Sequence, residues 1–224
     1  MLRAIIMDFN GVLINDEPLH ARLMQETAAE LGIELTLQDY YTRYLPLDDW
    51  HCLSAVLIDN NRTLEPREME RILEIKSSRY EREVQTSCEL FPGSVDFVRA
   101  AAARYPLAIA SGARGKEIRA TLERAGITRL IGGIISADDV VESKPNPEAF
   151  LKAYGLLKNR VADLQPADCL VIEDSIQGIG GAHGAGMKVV ALAHSYSAEE
   201  LRAADFVAEG WSGVNLERLA ALFD

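Results

Sequence analysis

The sequence predicts an α/β fold, a doubly wound parallel sheet with a small α-helical domain inserted after its first strand. Three observations carry this. Short apolar runs recur along the chain, and each closes on polar or glycine-rich residues. Helical patterns separate these runs, and the alternation breaks once, between residues 16 and 86, where apolar residues recur at helical spacing without an intervening strand. The expected core is therefore residues 1–15 and 87–224, and the expected insertion is residues 16–86.

Residues 2–8 (LRAIIMD) read as a buried strand that ends at Asp8 and enters a turn at Asn10-Gly11. The insertion follows, with helical spacing at Leu19, Leu23, Ala28 and Leu31, at Leu53, Val56 and Leu57, and at Ile72 and Ile75; Pro46 and residues 59–66 supply turns. Phe91-Pro92-Gly93 marks the return to the core. Helices are expected over 92–104, over 114–125 with Gly126 as C-cap, and over 146–157, opened by Asn146 with Pro147 in the first turn. The runs 107–111 (LAIAS), 133–136 (GIIS), 169–173 (CLVIE) and 188–192 (KVVAL) are the remaining strands. All would be parallel, with ligands collecting at their carboxyl ends, where Asp8, Ser111 and the Glu173-Asp174 pair converge.

A chain of 224 residues with 48% hydrophobic and 25% charged residues can bury a sizeable core. Its net charge of -11 argues against nucleic-acid or anionic-membrane binding, which rests on clustered Lys and Arg. A small phosphorylated metabolite remains compatible, since a few local cations or a metal ion can handle its charge. Cys52, Cys88 and Cys169 are odd in number and show no CxxC spacing, so free thiols in a cytoplasmic protein are expected. No apolar run reaches the roughly 20 residues of a membrane span, and the N-terminus lacks a signal-peptide layout.

Four segments, DFNGVL at 8–13, ASG at 110–112, SKPNP at 143–147 and IEDS at 172–175, together resemble the haloacid dehalogenase superfamily over nearly the whole chain. Within it the chain is most similar to the small phosphatases and β-phosphoglucomutase-like enzymes, whose Rossmann-like core carries a helical cap after the first motif. The resemblance implies a Mg²⁺-dependent hydrolase. Asp8 would be the nucleophile, because a carboxylate at a strand tip can attack phosphorus once a cation offsets the repulsion between two anions. Ser111, with the backbone N–H groups of Gly112 and Ala113, would grip the phosphoryl oxygens, and Arg114 could add a contact to substrate phosphate. Lys144 would supply a fixed positive charge. The metal ligands would be Asp8, the Asn10 carbonyl and Asp174, with Glu173 mainly behind them. Gly178, Gly180, Gly181, Gly184 and Gly186 do not spell a dinucleotide fingerprint, and close helix–sheet packing is expected there.

Asn10 departs from the pattern. The phosphatases carry a second Asp at this place, which protonates the leaving alkoxide and then activates water. An Asn hydrogen-bonds without exchanging a proton, and losing general acid–base help costs about 10²–10⁴ in rate. Three readings are open: an engineered trap, a natural variant that recruits another acid such as Asp16, Glu17 or His20, and a phosphate-ester-binding protein with little turnover. Asn15, where relatives often carry Asp, favours the natural variant. Dehalogenases also lack the second Asp, but their usual Tyr is absent here.

In the cap, His20, Lys76 and Tyr80 resemble substrate-facing positions of the β-phosphoglucomutases. The segment 44–49 (YLPLDD) places Leu47 where the mutases carry an Arg for a second phosphate, which favours monoester hydrolysis over a mutase cycle.

Overall fold

The computed structural model describes residues 1–45, 47–87 and 89–224. Pro46 and Cys88, read above as a turn residue and a free thiol, lie outside the described residues. The chain divides into two compact units, Met1–Asn15 with Glu89–Asp224, and Asp16–Cys88.

Strand β1 (Ala4–Met7) is buried at all four residues. A strand covered by helices on both faces has no polar side, which is why AIIM shows no alternation. A loop leads to the two-residue β2 (Ile14–Asn15) and into the second unit. That unit is made of α1 (Glu17–Glu30), the single turn α2 (Leu37–Asp39) running into a π-helical turn at Tyr40–Tyr44, α3 (Asp49–Asp59) and α4 (Pro66–Ser87). Its helices bury Met24, Ala28, Leu53, Val56, Leu57 and Met69 in one cluster. The Asp48 side chain caps α3, accepting from the His51 N–H at 2.9 Å.

The first unit resumes with β3 (Glu89–Leu90), which pairs antiparallel with β2. It continues through α5 (Ser94–Ala102), β4 (Leu107–Ala110), α6 (Gly115–Arg124), β5 (Ile131–Ile135), α7 (Glu148–Lys158), β6 (Cys169–Glu173), α8 (Ile176–Gly184), β7 (Lys188–Leu192), β8 (Phe206–Ala208) and α9 (Leu216–Ala221). Among the described residues six strands form one parallel sheet in the order β5-β4-β1-β6-β7-β8. The chain leaves β1 for β4 on one side and later adds β6 on the other, so the order reverses at β1. Such a switch point opens a crevice at the strands' carboxyl ends. On one face of the sheet Phe150, Ala153 and Leu157 of α7 pack with Ile6, Ala108 and Val171.

Three expectations are corrected. The helix expected over 92–104 spans only Ser94–Ala102. The helix expected from Asn146 starts at Glu148, because Pro147 takes the N-cap place and the Asn146 side chain accepts from the Glu148 N–H at 2.9 Å. Strand β8 and the β2–β3 pair were not expected at all. No helix among the described residues is long and apolar enough to cross a membrane. Cys52 and Cys169 are free and buried.

Candidate active site

Three neighbouring strands deliver the candidate groups to one edge of the sheet. Asp8 follows β1 and extends its ladder, donating its N–H to the Ile172 carbonyl at 2.9 Å. Ser111 follows β4 in the same way, bonded to the Ile135 carbonyl at 3.0 Å. Glu173 closes β6, and Asp174 comes next. All four are buried.

Lys144 lies among these carboxylates. Its Nζ is 2.5 Å from Glu173 Oε1 and 3.2 Å from Asp8 Oδ1, and it stands 4.9 Å from the centre of the Phe150 ring. Burial works against the ammonium, but the Asp8 and Glu173 charges outweigh it and hold the Lys144 pKa above its ordinary value. Glu173 is fully engaged. Its Oε2 accepts from the N–H groups of Asp174 and Ser175, both at 3.0 Å, and from the Ser175 hydroxyl at 2.9 Å. Glu173 thus locks Lys144 in front of Asp8, and Gly178 leaves room for its carboxylate, which a Cβ there would overlap.

Burial pushes the Asp8 carboxyl up to about 6, against the opposing pull of Lys144 and with a further push from Glu173. Desolvation, then Glu173 and Asp8, also raise Asp174 well above the ordinary carboxylate range. Crowded buried acids of this kind call for a cation beyond Lys144. Oxygens of Asp8, Glu173 and Asp174 lie within 4.8 Å of one another, and the buried Asp8 Oδ1 faces the Lys144 ammonium at 3.2 Å. An all-oxygen donor set of three buried carboxylates, with more negative charge than one ammonium offsets, fits a hard divalent ion.

The Ser111 hydroxyl donates to Asn10 Oδ1 at 3.3 Å and accepts from the Ala113 N–H at 3.2 Å. Beside it Gly112 faces open space, with no atom within 4 Å of where a Cβ would stand. The exposed Arg114 caps α6, and its N–H donates to Glu117 Oε2 at 3.4 Å.

His20 and Lys76 belong to the helical unit. Lys76 is 1% exposed and donates to Asp49 Oδ1 at 2.6 Å and to His20 Nδ1 at 3.2 Å. The opposite edge of the His20 ring faces Asp16 Oδ2 at 3.2 Å, and that same oxygen accepts from the Tyr80 hydroxyl at 2.6 Å. Glu17 accepts from the Tyr40 hydroxyl at 2.7 Å. The acids considered as substitutes for a proton donor are thus tied into this unit's own network.

Sequence reasoning missed Ser175, His194, Ser195 and Asp49. Ser195 donates to Asp174 Oδ2, and His194 Nδ1–H donates to the Gly11 carbonyl at 2.6 Å. Burial lowers the pKa of His194. A signal existed for the pair: a polar His-Ser directly after the apolar KVVALA run occupies the same strand-end position as the recognised motifs. Ser175 was legible as an N-cap, its side chain accepting from the Gly178 N–H at 3.0 Å.

Comparison with known proteins shows the family and the fold. The chain is 28% identical over 189 residues to fructose-1-phosphate phosphatase YqaB of Escherichia coli, covering 83% of this chain and 94% of that one. It is 29% identical over 193 residues to SUPPRESSOR OF QUENCHING 1 of Arabidopsis thaliana, covering 84% of this chain but only 18% of that protein's length. An Asp-to-Asn mutant of CbbY from Rhodobacter sphaeroides, crystallised with xylulose-1,5-bisphosphate, superimposes with a TM-score of 0.80 at 26% identity, over 95% of this chain and 96% of that one. The model of the haloacid dehalogenase-like hydrolases matches residues 2–186, and the chain belongs to that family.

Proposed function

We propose that the protein is a Mg²⁺-dependent phosphomonoester hydrolase that acts on a small phosphorylated metabolite through a phosphoaspartate on Asp8. The observation that carries this reading is the Lys144 bridge between Asp8 and Glu173 at the sheet's switch point. In the first step Asp8 attacks phosphorus, its new O–P bond forming as the bond to the leaving oxygen breaks, while Lys144 and the Ser111 hydroxyl offset charge on the phosphoryl oxygens. In the second, water attacks the phosphoaspartate, releasing inorganic phosphate and restoring the carboxylate. Asp8, Asp174 and the Asn10 carbonyl would hold Mg²⁺, with Glu173 behind them. When bound, the ion offsets the repulsion between Asp8 and an anionic substrate. Gly112, Ala113 and Arg114 are the phosphate-binding candidates. Residues 16–86 serve as the cap, and within that unit His20 and Lys76 are the candidate substrate contacts.

A second reading, a phosphate-ester-binding protein with little turnover, is favoured by Asn10, whose amide has no proton to give a leaving group. Phosphate release from a panel of phosphorylated metabolites, sugar phosphates first, with the parent and Asp8→Ala, with and without Mg²⁺, separates the two. Turnover that needs both Asp8 and Mg²⁺ supports the hydrolase. Turnover that survives Asp8→Ala removes the nucleophile assignment, and saturable binding without turnover supports the second reading.

A further inference from the structure

Two consecutive residues after β7 reach back to the candidate metal site from different sides. The His194 Nδ1–H donates to the Gly11 carbonyl at 2.6 Å across 183 positions of sequence. Its ring stacks on Phe91, with centroids 3.8 Å apart and planes 12° apart. Next to it, Ser195 donates to Asp174 Oδ2. Gly11 and Asp174 are themselves in contact: Gly11 has φ 68°, and a Cβ there would overlap the Asp174 carboxylate. Gly11, His194, Ser195 and Asp174 therefore close a ring of contacts that joins two segments far apart in the chain.

The ring has a physical consequence for both metal-binding groups. A carboxylate with one oxygen held by a hydroxyl cannot rotate freely, so its other oxygen keeps one direction. The Asn10 carbonyl belongs to the Asn10–Gly11 peptide, whose N–H donates to the Ile14 carbonyl at 3.0 Å. With His194 fixing the following carbonyl, the loop is held on both sides of Gly11. On the reading that this site takes Mg²⁺, we infer that His194 and Ser195 are positioning residues, which orient the Asn10 carbonyl and the Asp174 carboxylate toward the cation without touching the reacting atoms.

The test is Mg²⁺ binding, by titration calorimetry, to the metal-free 224-residue chain and to Ser195→Ala, Ser195→Thr and His194→Phe, with circular dichroism as the folding control. The phenyl ring keeps a stack on Phe91 and removes the donor. Ser195→Ala and His194→Phe should weaken Mg²⁺ about 10- to 100-fold, the usual effect of losing a partner that orients a ligand, while Ser195→Thr, which keeps the hydroxyl, should stay near the parent. Unchanged binding in folded Ser195→Ala, or equal losses in the Ala and Thr variants, would overturn the inference. If His194→Phe does not fold, the Ser195 pair decides. A parent that binds no Mg²⁺ overturns the metal reading along with this one. Binding that Asp174→Asn abolishes and Ser195→Ala leaves intact overturns this one alone.

Discussion

The Ser111 hydroxyl points at the side-chain carbonyl of Asn10, 3.3 Å away. The bond joins the residue that would grip the phosphoryl group to the residue where a proton donor is expected, and neither an amide nor a hydroxyl can supply the proton at neutral pH. Restoring a carboxyl at position 10 should therefore raise turnover of alkyl phosphate esters by about 10²–10⁴. The gain should be smaller in the first turnover of an acyl phosphate, whose leaving group departs without protonation. Quenched-flow measurement of phosphoenzyme formation in the parent and in Asn10→Asp, with a sugar phosphate and with acetyl phosphate, reads this directly. Equal gains for both leaving groups would contradict the assigned role of position 10.

Lys144 is the cation that both Asp8 and Glu173 face. Lys144→Met keeps an apolar stem beside Phe150 and removes the charge, leaving buried carboxylates uncompensated. Breaking a buried pair by losing one partner costs about 3–5 kcal/mol. Urea unfolding at pH 7.5 should show a loss of that order, partly recovered by Mg²⁺, together with loss of phosphoryl transfer. A variant as stable as the parent without metal would mean that the carboxylates find another partner.

The α/β core was readable because β1, β4, β6 and β7 are apolar on both faces and end in polar residues. β8 was not, since Phe206-Val207-Ala208 is only three residues long and half-buried at the sheet edge. The β2–β3 pair has two residues per strand, too few to show a period. Asp8, Ser111, Lys144 and Asp174 were legible because each lies within a short motif, three of them at strand ends and Lys144 in the loop before α7. His194 and Ser195 also follow a strand, but their partners Gly11 and Asp174 follow only from the order of strands in the sheet. The Asp49 partner of Lys76 was hidden because it lies 27 positions away on another helix, brought close only by helix packing. The expectation of helix–sheet packing at the glycines after IEDS is corrected at Gly181, whose would-be Cβ meets Phe150 of α7 at 3.1 Å and so lies against a helix, whereas Gly178 makes room for the Glu173 carboxylate at the end of β6.

The raised pKa of Asp8 makes the candidate nucleophile a cost to the metal-free fold. A carboxyl at about 6 in the folded state and 3.8 otherwise holds its proton more tightly when folded. The penalty is absent below about pH 4, where both states are protonated, and grows to its full value above pH 6; by linkage it amounts to about 3 kcal/mol. Asp8→Asn, which keeps the shape without the charge, should therefore be more stable than the parent at pH 7.5 in chelator, by up to that amount. The gap should narrow toward pH 5, and the variant should lose the stabilisation that Mg²⁺ gives the parent. Urea midpoints at the two pH values check this, and a variant less stable than the parent at pH 7.5 would show that Asp8 is not penalised by burial.

Gly178 and Gly180 lie two positions apart on α8, yet their surroundings differ. A Cβ at Gly178 would overlap the Glu173 carboxylate, whereas one at Gly180 would stand 3.5 Å from Pro145 Cβ, an ordinary contact. Ala is a better helix former than Gly by about 1 kcal/mol, so Gly180→Ala should be neutral or stabilising by up to that amount, with activity retained. Gly178→Ala must displace Glu173. That releases Lys144 from its place before Asp8 and breaks the Ser175 contacts that begin the helix. It should lose phosphoryl transfer and destabilise the fold by about 1–3 kcal/mol, the usual range for overpacking. Unfolding midpoints and Asp8 phosphorylation by acetyl phosphate, measured on both variants, test the contrast. If Gly178→Ala phosphorylates as readily as Gly180→Ala, Glu173 does not hold Lys144 for the reaction.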